Sequence, residues 1–115
     1  MTEDIKYEER PWGNFTQFAF NEECTVKILE VKSGEELSLQ SHKKRDELWV
    51  VLDEGLKVEL DDKVIFPKEG EKVVIKRGMK HRLSSPNGGG RILEVSFGCF
   101  DENDEIRYAD KYGRN

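Results

Sequence analysis

The stretch Gln40-Ser41-His42-Lys43-Lys44-Arg45-Asp46-Glu47-Leu48-Trp49 carries an amide, an imidazole and a carboxylate into the apolar run Trp49-Val50-Val51-Leu52. A strand sends alternate side chains to opposite faces, so Gln40 and His42 share one face while Glu47, Trp49 and Val51 share another. If both faces look into one barrel, these donors converge, and His81, at the head of a later short strand, adds a second imidazole. Two nitrogen and two oxygen donors with open positions suit one borderline divalent metal: Zn, Mn, Fe, Co or Ni. The plainer reading of the same residues is a hydrogen-bonded polar patch in a barrel that holds no metal; the four-residue set at both spacings favours the metal site.

On either side of this stretch the chain breaks into short strand-like runs: Asn14 to Phe20, Cys24 to Lys32, Leu37 to Gln40, Leu48 to Leu52, Leu56 to Leu60, Lys63 to Phe66, Lys72 to Ile75, His81 to Leu83 and Ile92 to Phe97. Turn signals separate them, among them Arg10-Pro11-Trp12-Gly13, Ser33-Gly34, Asp61-Asp62, Pro67 to Gly70 and Gly88-Gly89-Gly90. No segment holds a helical period. Many short strands at such spacing predict an all-β sandwich or small barrel. Residues 1–9 read as a polar lead-in, and 101–115 as a charged segment that Ile106, Tyr108 and Tyr112 can pin on or near the barrel. Trp12 and Trp49 read as core, Lys43-Lys44-Arg45 as a solvated turn, and the glycine triplet as a flexible loop with no phosphate-loop context.

At 115 residues the chain has room for a single domain, 1–115, with one modest core. Charged residues make up 37% and hydrophobic residues 36%, but the apolar ones gather in strand-sized runs, which marks a folded chain. The net charge of -5, with both signs interleaved, argues against nucleic acid or an anionic membrane as partner. The acidic N-terminus is no secretory signal and no run is long enough to span a bilayer, so a cytoplasmic address is expected. Cys24 and Cys99 are expected to be reduced, partly buried thiols. Small barrels expose edge strands that a second copy can cover, so a homodimer is expected as well.

The pattern Gly34-x5-Gln40-x-His42-x4-Glu47 resembles the first cupin motif, with Gln40 at the place of its first histidine. Gly70-x5-Lys76-x-Gly78-x2-His81-x3-Ser85 resembles the second, with Lys76 for its proline and Ser85 for its asparagine. The glycine after the first motif is displaced by one, to Gly55. A closer resemblance runs from Arg10 to Arg114. The segments RPWG (10–13), LSLQSH with the following R and E-x-W (37–49), GMKHRL (78–83), LEVSFG (93–98) and IRYADKYGR (106–114) are similar to the C-terminal cupin domain of type II mannose-6-phosphate isomerases. That domain usually follows a nucleotidyltransferase, whose glycine-rich loop has no counterpart here, so no pyrophosphorylase activity is expected.

The resemblance implies a double-stranded β-helix barrel, a bound divalent metal and a sugar-phosphate substrate. It places Gln40, His42, Glu47 and His81 on the metal-ligand positions, and Lys27, Glu94, Arg45, Arg107 and Arg114 on further positions of the pattern. His42-Lys43-Lys44 stands where the family commonly has three histidines. Aldose–ketose isomerisation needs a polarised carbonyl, a base that moves a proton between adjacent carbons, and a cation that holds the phosphate away from them. With both histidines taken as ligands, Lys27 and Glu94 become the candidate base or proton-shuttle pair, and the two are expected to meet near the metal. Arg45, Arg107 and Arg114 are the candidate phosphate ligands, because a guanidinium fork binds two oxygens at once. The alternative is a binding module that keeps metal and pocket without turnover.

Overall fold

The computed structural model describes residues 4–114. Eleven strands follow one another: β1 (Lys6–Arg10), β2 (Gly13–Gln17), β3 (Cys24–Val31), β4 (Leu39–Ser41), β5 (Arg45–Val51), β6 (Lys57–Leu60), β7 (Lys63–Ile65), β8 (Lys72–Ile75), β9 (His81–Ser84), β10 (Gly90–Gly98) and β11 (Ile106–Ala109). All pairings are antiparallel. Two sheets, ordered β3-β10-β5-β8 and β11-β4-β9-β6-β7, form the two walls of the expected double-stranded β-helix, and β1-β2 is a separate hairpin. Among the described residues no helix is long and apolar enough to cross a membrane.

The apolar interior lies between the walls and includes Trp49, Val51, Leu56, Val58, Leu83 and Ile92, each no more than 1% exposed. A second cluster of Leu48, Val50, Val95 and Phe97 lies on the other face of the four-stranded sheet, where Ile5, Phe18 and Ala19 pack against it. β5 is thus covered on both faces. This is why its sequence reads as a continuous apolar run rather than an alternation.

Several sequence expectations change. The polar lead-in supplies a strand, β1, paired with β2 from Lys6↔Gln17 to Arg10↔Gly13. Trp12, expected in the core, sits at the turn of that hairpin and is 73% exposed. Cys24 and Cys99 are free thiols but exposed, at the outer ends of β3 and β10. The expected solvated turn is only half right, since Lys43 and Lys44 are exposed but Arg45 begins β5 and is buried. Gly90 belongs to β10, where a side chain would strike Leu56. The C-terminal segment does pack on the barrel, as β11 beside β4.

Candidate functional site

The register of the four-stranded sheet sets a gradient of polarity along its inner face. One rung aligns Thr25, Ser96, Glu47 and Ile75; the next aligns Lys27, Glu94, Trp49 and Val73; the third aligns Leu29, Ile92 and Val51. Polar side chains thus collect at one end of the barrel and hydrocarbon fills the other. In the facing sheet Gln40 and His81 are direct partners. A cavity of about 750 Å³ opens at the polar end, and its lining includes Gln40, His42, Glu47, His81, Lys27 and Glu94 together with Arg45, Arg107 and Arg114. All nine residues singled out from the sequence border this one space.

At its floor, ligand atoms of His42, Glu47 and His81 lie within 4.8 Å of one another, all buried. Both imidazoles are oriented by main-chain carbonyls. His42 Nδ1 lies 2.7 Å from the Asp104 carbonyl oxygen, and His81 Nδ1 lies 3.0 Å from that of Met79. A carbonyl can only accept, so each Nδ1 carries the proton and each Nε2 keeps its lone pair. This is the orienting partner a metal-ligating histidine needs. Burial pushes the His81 pKa down, which also favours the neutral ring.

The glycine of the second motif contributes through its backbone. Gly78 takes φ +81, a conformation that L side chains rarely adopt, and its N–H donates to the His42 carbonyl oxygen at 2.8 Å. The turn that precedes His81 therefore also fixes His42.

Glu47 is gripped from two sides. Trp49 Nε1 donates to Oε1 at 2.9 Å, and Arg45 Nε donates to Oε2 at 2.9 Å. Burial by itself would raise the carboxyl pKa, but His81, the Arg45 hydrogen bond and His42 outweigh it and hold the group below the ordinary range. Arg45 Nη2 also donates to His42 Nε2 at 3.1 Å. That acceptor and Glu47 Oε2, only 3.3 Å apart, thus face each other across a cation. Two imidazole Nε2 lone pairs and a carboxylate that converge in this way fit a divalent metal such as zinc. Gln40 lies beside them, its Nε2 donating to Ser38 Oγ at 3.1 Å.

Glu94 is buried, accepts a hydrogen bond from Ser96 Oγ at 3.0 Å, and has its pKa pushed up to about 7, first by burial and then by the charge of Glu47. Lys27 is its cross-strand partner, but the two side chains do not hydrogen-bond; the Lys27 ammonium lies 4.0 Å from the Phe100 ring centroid. The Arg45 guanidinium lies 4.5 Å from the same centroid. Arg107 is ion-paired with Glu105, and Arg114 makes a two-pronged contact with Asp110, both bonds 2.9 Å. Lys43 and Lys44 do not line the cavity; their N–H groups cap the Asp104 carboxylate at 3.0 and 2.7 Å, and the Lys44 ammonium lies 3.9 Å from Asp101.

The sequence reading missed Asp104, Phe100 and the Gly78 tether to His42. No residue pattern reports a main-chain carbonyl that will meet an imidazole sixty-two positions away. Phe100 left a fainter signal, an aromatic at the start of an otherwise charged segment.

The profile of the family described as mannose-6-phosphate isomerase C-terminal matches residues 3–111. The chain is 38% identical over 108 residues to a mannose-1-phosphate guanylyltransferase of Salmonella montevideo, covering 92% of this chain and 23% of that protein. It is 36% identical over 107 residues to the alginate biosynthesis protein AlgA of Pseudomonas aeruginosa, covering 91% and 22%. The chain thus spans less than a quarter of these relatives' length. Among solved structures, a 3,4-ketoisomerase from Helicobacter canadensis superposes with a TM-score of 0.71 at 16% identity, covering 90% of this chain and 86% of that one. A Klebsiella pneumoniae protein with a double-stranded β-helix domain gives 0.65 at 17% identity, covering 76% of each. At such identities these two structures speak for the fold alone.

Proposed function

Because this chain belongs to the mannose-6-phosphate isomerase C-terminal family, we propose that it is a metal-dependent sugar-phosphate isomerase interconverting mannose 6-phosphate and fructose 6-phosphate through an enediol. The observation that carries this reading is the buried convergence of two correctly oriented imidazoles and Glu47, with a second carboxylate, Glu94, facing the same cavity.

A divalent metal held by His42, Glu47 and His81, with Gln40 beside them, would supply Lewis-acid polarisation of the sugar's oxygens. The chain's own residues supply the rest. Glu94 lifts the proton from C2 of the aldose and returns it to C1. A pKa of about 7 lets it exist in both forms at neutral pH, as a group that must take and give back one proton requires. Trp49 and Arg45 keep Glu47 ionised and oriented, and Trp49 with Leu29 and Leu37 walls the apolar side of the pocket. Some of the cationic residues lining the cavity hold the phosphate, so that its binding energy positions the reacting carbons.

Neither Lys43 nor Lys44, which stand where the family commonly has histidines, lines this cavity. A second copy covering the β3 edge, where Val26 and Ile28 are exposed, is the association that accompanies this reading. Metal analysis of the purified protein, followed by a conversion assay with that metal restored, tests the reading. Near-stoichiometric metal with turnover supports it, and bound metal without turnover turns the protein into a binding module.

A further inference from the structure

We propose that Lys27 and Arg45, gathered over the Phe100 ring, form the seat of the substrate's phosphate, and that the outer guanidinium nitrogens of Arg45 become available to it when a metal takes over His42 Nε2. This deepens the isomerase reading and rests on it for the molecule that carries the phosphate.

Four cations line the cavity, and their present engagements differ. Arg107 and Arg114 are bound to carboxylates two and four residues away, Glu105 and Asp110. Such partners stay close whatever enters the pocket. Lys27 has no carboxylate partner among the described residues, and its ammonium rests on Phe100. An aromatic face positions a cation without neutralising it. The Arg45 guanidinium rests on the same ring, so the two charges lie no farther apart than their combined distances of 4.0 and 4.5 Å to its centroid. A single phosphate beside the ring, accepting a hydrogen bond of about 2.8 Å from each cation, would join the two charges.

Arg45 has two other contacts, and both are to groups that a metal would claim. Its Nη2 uses the His42 Nε2 lone pair and its Nε uses Glu47 Oε2. The single lone pair of His42 Nε2 cannot both accept a hydrogen bond and bind a metal, so occupation of the site by a divalent cation frees the Nη2 side of the guanidinium, while Nε can keep the second lone pair of Glu47 Oε2. The guanidinium then has Phe100 to lie on and a phosphate to bind. Metal and phosphate binding are therefore coupled, and by linkage each tightens the other. The long Lys27 stem carries its charge from the Glu94 rung to Phe100, which keeps the phosphate off the carboxylate that moves the proton.

The test is calorimetric titration of inorganic phosphate into the zinc-loaded and the chelated protein. Zinc should tighten phosphate binding about fivefold or more in the parent protein. Lys27→Met, at an exposed position, should weaken phosphate in the zinc form about tenfold, the value of one charge-assisted hydrogen bond, with zinc affinity unchanged. Arg45→Met should bind zinc at least as tightly and lose the zinc enhancement. The Arg107→Gln/Arg114→Gln pair should leave phosphate affinity within about twofold. Indifference to Lys27→Met, or loss in the Arg107/Arg114 pair instead, overturns the seat. A zinc enhancement that persists in Arg45→Met puts the anion on the metal and overturns the release, as does a parent protein indifferent to zinc. Turnover of mannose 6-phosphate is read separately, so an inactive protein with a zinc-tightened phosphate site contradicts the isomerase reading and leaves the seat in place.

Discussion

The floor of the cavity and its rim contain the same kinds of side chain under opposite conditions. At the floor, His42, Glu47, His81 and Glu94 are each no more than 6% exposed and held by named partners on two strands, a turn and the C-terminal segment. At the rim, Arg107 pairs with Glu105 and Arg114 with Asp110, and beyond the rim Tyr112 donates to Glu35, with Arg114 and Tyr112 exposed to water. Buried charges must be satisfied in place, and removing one partner strands the other. Exposed pairs are worth little and can exchange partners. The floor is therefore where identity matters atom by atom, and the rim is where charge is held in reserve.

The largest expected effects break the floor. His81→Ala or Glu47→Gln should abolish stoichiometric metal binding, measured by elemental analysis after gel filtration, because either change leaves too few donors for a stable site. Tight metal retention in both variants would mean that the three residues are not the ligands. Next comes Glu94→Gln, which should lower kcat by about 10²- to 10⁴-fold while KM changes little. In the parent, kcat/KM should rise with pH as Glu94 loses its proton, and the Gln variant should lack that limb.

Trp49→Phe should be smaller. It removes the Nε1 hydrogen bond to a buried carboxylate and should cost about 1.5–3 kcal/mol in denaturant unfolding, with some metal lost. The rim gives the smallest response. Asp110 is held down to about 2 by its Arg114 hydrogen bond, so the stabilisation of the C-terminal turn is complete above the ordinary value of 3.8 and disappears as the pH falls through about 2. NMR shifts of Tyr112 should follow that titration while those of Trp49 do not. A Trp49 signal that moves with Asp110 would break the distinction between the two regions.

Much of the fold was legible because period and punctuation were both local. β3, β6, β7, β8 and β9 lie where alternating or apolar runs and turn residues put them, within a residue or two. The strand β1 was not, since Lys6-Tyr7-Glu8-Glu9-Arg10 has no apolar alternation and is a strand only through its pairing with β2. Trp12 was misread for a related reason: an aromatic at a hairpin turn has no wall to pack against. The site residues were legible as a set through the two motif spacings, and strand parity put Glu47 and Trp49 on one face. The groups that tune them were not, because the Asp104 and Met79 carbonyls and the Gly78 N–H are backbone atoms that any residue carries. Arg45 shows the limit most clearly: as part of a basic run it read as solvated, yet the alternation of β5 turns it inward onto Glu47.

The most direct test of the central claim is incubation of mannose 6-phosphate in heavy water with the metal-loaded protein, followed by proton and carbon NMR. An enediol route run by Glu94 exchanges the transferred proton with solvent, so fructose 6-phosphate should appear with deuterium at C1, recovered mannose 6-phosphate should carry deuterium at C2, and Glu94→Gln should suppress both. Bound metal and bound sugar phosphate with neither exchange nor product would contradict the account and leave a cupin that holds its ligand without transforming it.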